Sequence, residues 1–161
     1  MKDILDKISS YNLFNYLLPG VVFAYSVNNL TPYQILSGDV IVDVFIAYFI
    51  GLIVSRFGSL VVEPLLKKIT FLEYVDYQSY VSASKKDPKL ELLSEVNNSY
   101  RTLSSMFILI ALIKIWVILE AKISFLSYVG PYFLLILILV MFLFSYKKQT
   151  EYVVKRVKAN K

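Results

Sequence analysis

No residue between positions 123 and 146 carries a charge, and positions 132–144 are apolar throughout. A helix needs about 20 mainly apolar residues, at 1.5 Å rise each, to cross the roughly 30 Å hydrocarbon core of a bilayer. Lys147 and Lys148 end the stretch, Tyr146 falls where interfacial aromatic residues collect, and Gly130-Pro131 marks an entry turn or a kink. Three more segments share this character. Positions 102–119 are interrupted once, by Lys114, and positions 40–62 carry Asp43 near the start and Arg56 two-thirds along. Positions 13–30 lie in a charge-free run from Ile8 to Gly38 and hold Pro19-Gly20, where a bend is expected. The expected fold class is all-α: a single integral membrane domain with four transmembrane helices, at 13–30, 40–62, 102–119 and 125–146.

Composition agrees. The chain is 57% apolar and 18% charged, against about 25% charged in soluble domains. A soluble fold of 161 residues has too small an interior to hide the excess. Residues 1–12 place Ile4, Leu5, Ile8 and Tyr11 on one helical face, so an interfacial helix is expected there. Asp3 and Asp6 stand where a secretory signal would be positive.

Lysine and arginine positions set the expected orientation, because cytoplasmic loops collect them. Residues 1–12 hold Lys2 and Lys7, and 31–39 hold none. Seven run from Arg56 to Arg101, Lys122 stands alone in the third connection, and six follow in the tail 147–161. Fifteen of the seventeen fall on one side, which is expected to be the cytoplasm and to hold both termini.

Outside the bilayer, Thr31-Pro32-Tyr33-Gln34 reads as a brief helix start, broken by Ser37-Gly38-Asp39. Leu65, Leu66, Ile69, Leu72 and Val75 recur at helical spacing, and Asp87-Pro88 starts a second stripe that runs into the third span. Positions 63–101 are therefore expected to form a cytoplasmic helical hairpin extending spans two and three.

With no cysteine and no histidine, thiol chemistry and the commonest metal ligand and general base are missing. No phosphate-binding glycine loop or Gly-x-Ser-x-Gly elbow is present. No enzyme activity and no cofactor are expected. The residues that draw attention are polar groups at membrane depth: Lys114, Asp43, Asn15 and Arg56. Lys114 either pairs with Asp43, snorkels outward, or lines an anion-attracting oligomeric pore. Arg56 sits among Gly51, Ser55, Gly58 and Ser59, a small-residue face for close helix packing, with Glu63 as a possible ion-pair partner. Asn15 is suited to interhelical hydrogen bonding. Tyr74, Tyr77 and Tyr80 recur beside Lys85, Lys86 and Lys89, with Arg101 further on. Interleaved aromatic and basic residues fit a nucleotide, an oligonucleotide or a partner protein, or else simple helix packing beside acidic lipid.

Three local patterns carry a resemblance: Asn15-Tyr16-Leu17-Leu18-Pro19-Gly20, Ser55-Arg56-Phe57-Gly58-Ser59 followed by Glu63-Pro64, and Asn98-Ser99-Tyr100-Arg101. With the four-span layout, they make the chain resemble the small multi-pass subunits of bacterial anti-phage systems: the channel-forming effector of the Hailong system or the four-pass membrane subunit of the Kiwa system. The likeness is one of architecture and assigns no residue roles. It implies a homo-oligomer, expected to be a tetramer, in the bacterial inner membrane, controlled from the cytoplasm by a partner protein or a nucleotide signal. The expected function is an oligomeric ion channel or pore gated from the cytoplasmic side in phage defence. The alternative is a non-conducting anchor that holds a cytosolic partner at the membrane.

Overall fold

The computed structural model describes residues 12–159, so all of the interfacial segment expected over 1–12 except Asn12 lies outside it. Every regular element among the described residues is helical. A π-helical turn, Leu13–Leu17, leads into α1 (Leu18–Leu30). Helix α2 (Val40–Phe57) passes through a second π turn, Gly58–Val62, into α3 (Glu63–Lys68). The short α4 (Tyr77–Ser84) precedes two long helices, α5 (Lys89–Lys122) and α6 (Phe125–Ala159). Three helical runs are long and apolar enough to cross a membrane: Val40–Lys68, Lys89–Lys122 and Phe125–Ala159.

Local chemistry sets the ends of these helices. Asp39 caps α2, its carboxylate accepting from Ile41 N (2.9 Å) and Val42 N (3.1 Å). Asp76 caps α4 through Ser79 N (3.0 Å), and the Ser79 hydrogen bonds hold its carboxyl below the usual range. Asp87 Oδ1 accepts from Lys89 N (3.0 Å) where α5 begins.

The helical stripe expected to continue through Leu72 and Val75 is cut short. Thr70 adopts a left-handed conformation (φ 57°). Thr70 N donates to Lys67 O (3.1 Å) and Phe71 N to Leu66 O (3.0 Å), the paired bonds of a Schellman ending. Residues 69–76 are therefore not helical, and the 63–101 region is two short helical pieces ahead of α5 rather than an unbroken extension of the second span. The brief helix expected at Thr31 is likewise absent. Thr31 instead ends α1: its N (3.0 Å) and Oγ1 (2.7 Å) both donate to Val27 O, and its hydroxyl accepts from Tyr33 N (3.2 Å). At the C-terminal end, α6 runs through Pro131 and on to Ala159, so most of the basic tail is helical.

Helices α1 and α2 make the closest approach. A Cβ added at Gly20 would lie 1.8 Å from Ala47 O, and one at Gly51 would lie 1.8 Å from Tyr16 O. Lipid gives helices no hydrophobic reason to associate, so small residues that let backbones touch become the packing device. Beside this crossing lies a compact core of Phe23, Val27, Val54 and Met106, with Ile50, Leu103, Leu109 and Ile113 packed against it. Helix α6 is held more loosely: Phe142 stacks on Phe49 (6.1 Å) and Phe133 on Trp116 (6.3 Å), and only Met141 and Ser145 are buried.

Two outcomes follow for protein purified in detergent. Gly20→Ala and Gly51→Ala each force backbone from backbone and should lower the melting temperature by the equivalent of about 1–3 kcal/mol. Gly130→Ala, whose Cβ would meet only the Trp116 ring at 3.1 Å, should be far milder. Thr70→Gly relieves a left-handed β-branched residue and should raise stability by roughly 1 kcal/mol or leave it unchanged; a clear loss would mean the Thr70 side chain contributes more than its backbone strain costs.

Candidate functional site

The polar chemistry gathers at the end of the bundle where α3, the first half of α5 and the last third of α6 meet. It begins with a proline. In the second π turn Glu63 N donates to Gly58 O, five residues back. The next donor in that register would be residue 64, but Pro64 has no N–H, which leaves Ser59 O without a helical partner. Lys148 of α6 takes that place: its Nζ donates to Ser59 O (2.7 Å) and Ser59 Oγ (2.8 Å). A cation from a distant helix thus completes a proline-broken one.

Glu63 sits beside it with its side chain 8% exposed. Lys67 Nζ reaches Oε1 (2.8 Å) and Arg101 Nη1 reaches Oε2 (2.8 Å). Lys148 also feels the charges of Glu63, Arg101, Lys67 and Arg56, and the one buried carboxylate of Glu63 serves three nearby cations, Lys67, Arg101 and Lys148. An isolated buried carboxylate would be costly, and two direct cationic partners offset that cost. Lys67 lies over the Tyr74 ring (3.8 Å), and Asn97 Nδ2 donates to Tyr74 OH (3.5 Å). Tyr152 of α6 approaches Lys148 (6.0 Å) and packs against Tyr77 (6.3 Å). The cluster therefore links α3, the 69–76 segment, α4, α5 and α6.

One layer deeper, Asn15 of the first π turn, Ser55 of α2 and Thr102 of α5 are buried together. The Thr102 hydroxyl lies 2.9 Å from Asn15 Oδ1, 3.0 Å from Asn98 O and 3.3 Å from Ser55 Oγ. Ser105 Oγ donates to Arg101 O (2.6 Å), and a Cβ at Gly58 would come within 2.5 Å of that hydroxyl. Gly58 is thus what lets α5 lie this close to the π turn.

At the opposite end, Lys114 Nζ donates to Leu30 O, the last residue of α1. Asp43 instead accepts from Ser37 N (2.7 Å), Ser37 Oγ (2.9 Å) and Gly38 N (3.1 Å). The Lys114–Asp43 pair is therefore not formed: Lys114 donates to the terminal carbonyl of α1, and Asp43 is taken by the donors of Ser37 and Gly38. Asn28 Oδ1 accepts from Ile35 N (2.7 Å), folding the 31–39 loop onto the core, and the Tyr33 hydroxyl donates to Glu120. Burial, then the hydrogen bond to Glu120 and its charge, push the Tyr33 hydroxyl up to about 12.

The expected site residues thus separate. Asn15, Arg56, Arg101, Tyr74 and Tyr77 converge on or near the charge cluster. Glu63 pairs with Arg101 and Lys67, not Arg56, because Arg101 projects from the facing helix. Lys85, Lys86 and Lys89 are exposed and Tyr80 half-buried, around the turn between α4 and α5. Sequence reasoning missed Lys148, Ser59, Thr102 and Tyr152 as members of the cluster. The one available signal was Pro64 inside a helix, which announces a carbonyl needing a donor but not which donor supplies it. Among the described residues no group of three or more acidic, histidine or cysteine side chains could hold a metal.

Partners of Glu63 should differ in weight. Glu63→Gln leaves Arg101 without its carboxylate and should lower stability in detergent by about 2–3 kcal/mol, near the low end for a broken buried pair. Lys67→Met removes a partner whose side chain is 42% exposed and should cost under about 1 kcal/mol. Equal losses would mean that burial does not set the strength of this cluster.

No protein-family model, curated protein or solved structure matches this chain.

Proposed function

We propose that the chain is a four-span effector of the bacterial inner membrane, with both termini and the 63–101 region in the cytoplasm. It assembles as a homo-oligomer, a tetramer by its resemblance to anti-phage subunits, around an ion path gated from the cytoplasmic side in phage defence. The observation that carries the reading is the Glu63 cluster. A force on the 69–76 segment or α4, which bear Tyr74 and Tyr77, acts directly on Lys67 and Tyr152. Through Glu63, Arg101 and Lys148 it acts on all three long helical runs. An ion-pair network that ties several helices together is a place where a charge or packing change can be read out by the whole bundle, and gating requires such a coupling. The exposed Lys85, Lys86 and Lys89 are the landing site for an acidic partner or a nucleotide signal.

A second reading, the non-conducting anchor, draws on a different observation. Lys114 and Asp43 both have hydrogen-bonding partners within their own chain, so neither needs a water-filled path, while Asn15 is bonded through Oδ1 and its buried Nδ2 has no partner.

Chloride efflux from proteoliposomes separates the two. The channel reading expects efflux through the wild-type protein and at least about tenfold more through Glu63→Gln, the shift that about 1.4 kcal/mol of lost closed-state pairing produces. Vesicles that stay tight with both proteins would contradict it. Tight vesicles together with loss of cytosolic-partner capture on replacing Lys85, Lys86 and Lys89 would establish the anchor.

A further inference from the structure

A groove of about 320 Å³ opens between the second π turn and α6, directly beside Lys148. Its wall has two chemistries. Leu60 and Phe144 line it toward the apolar part of the helices, and Lys147, Lys148 and Glu151 line it toward the charged end. That apolar-to-cationic gradient, at the point where the apolar run of α6 stops, matches the shape of one molecule: a phospholipid with an acyl chain below and a phosphate above.

The charge balance calls for an anion as well. Lys67, Arg101 and Lys148 share the carboxylate of Glu63, whose two oxygens are already taken by Lys67 and Arg101. Arg56 adds a further positive charge near Lys148, and on the groove wall Lys147 and Lys148 face the one carboxylate of Glu151. Lys148 hydrogen-bonds the neutral oxygens of Ser59, with the Tyr152 ring 6.0 Å away, and carries three N–H donors, of which Ser59 O and Oγ use two. A third donor is left for a ligand, and Lys147 stands next to it on the groove wall.

We propose that this groove is a specific site for an anionic phospholipid. The phosphate accepts from Lys148 and Lys147, and an acyl chain lies along Leu60 and Phe144. Because Lys148 is also the donor that completes the proline-broken turn at Ser59, an occupied site would hold α6 against α2 and fix the Glu63 cluster. Glu151, on the same wall, opposes the phosphate and keeps binding moderate. The inference rests on the helices crossing a bilayer but not on conduction, so it stands or falls separately from the channel reading.

The test is a thermal-shift titration of the full chain in neutral detergent with short-chain phosphatidylglycerol, short-chain phosphatidylcholine and glycerol 1-phosphate. Phosphatidylglycerol should give a saturable rise in melting temperature at least about fivefold lower in concentration than phosphatidylcholine, whose choline is repelled by the cluster. Glycerol phosphate, lacking chains, should give none. Lys147→Gln should weaken the phosphatidylglycerol effect about fivefold, the weight of one interfacial charge, and Glu151→Gln should strengthen it by a similar factor. Neither side chain takes part in the Ser59 or Glu63 contacts, so both variants should fold as the parent does. Equal titrations by the two lipids, or a Lys147→Gln protein that titrates as wild type, would overturn the site. Glycerol phosphate acting as well as the lipid would overturn its assignment to a phospholipid.

Discussion

Pro64 removes one donor from a helix that continues past it, and the arrangement of the charged end follows from how that loss is met. The π turn before the proline carries the chain around its ring, and Ser59 O is left facing α6. An apolar environment does not tolerate an unpaired carbonyl, so a donor must come from elsewhere in the protein. A lysine ammonium brings a charge with it, and that charge needs a carboxylate nearby. Glu63, the residue before the proline, supplies it and recruits Lys67 and Arg101 as well. One missing N–H thus accounts for the position of α6, the burial of an acid and the meeting of three helices.

A second proline-linked π turn, Leu13–Leu17 ahead of Pro19, sits next to the Gly20–Gly51 crossing. Glycine contact and polar contact share the task of holding the bundle together. The α1–α2 crossing works by close backbone packing, whereas α6 is fixed by ring stacking and by Lys148. The weakest-held long helix is therefore tied most strongly at the charge cluster, and any change there is felt first by α6.

The sequence made the apolar runs legible because their length and lack of charge answer to a single solvent rule. Asp87-Pro88 signalled the start of α5 through short-range chemistry, whereas the caps at Asp39 and Asp76 emerged only from the structure. The stop at Thr70 was not legible, since a β-branched residue in a left-handed turn contradicts its local preference and tertiary context overrides the helical stripe of Leu72 and Val75. The Thr31 capping pattern misled for a related reason: the hydroxyl closes the helix behind it instead of opening one ahead. Partner choice was hidden most. Nothing in the spacing of Lys114, Asp43, Arg56 or Glu63 says that Lys114 caps Leu30 or that Arg101, 38 residues away, pairs with Glu63.

The central physical claim is that the charge-bearing ends of α3, α5 and α6 share one face of a membrane, with the 31–39 loop on the other. Because the chain has no cysteine, single replacements report cleanly. Gln34→Cys, Lys85→Cys and Lys155→Cys would each be exposed in turn to a membrane-impermeant maleimide on intact cells and after permeabilisation. Labelling of position 34 in intact cells, with positions 85 and 155 labelled only after permeabilisation, is the predicted result. Positions 85 and 155 reacting from opposite faces would contradict it.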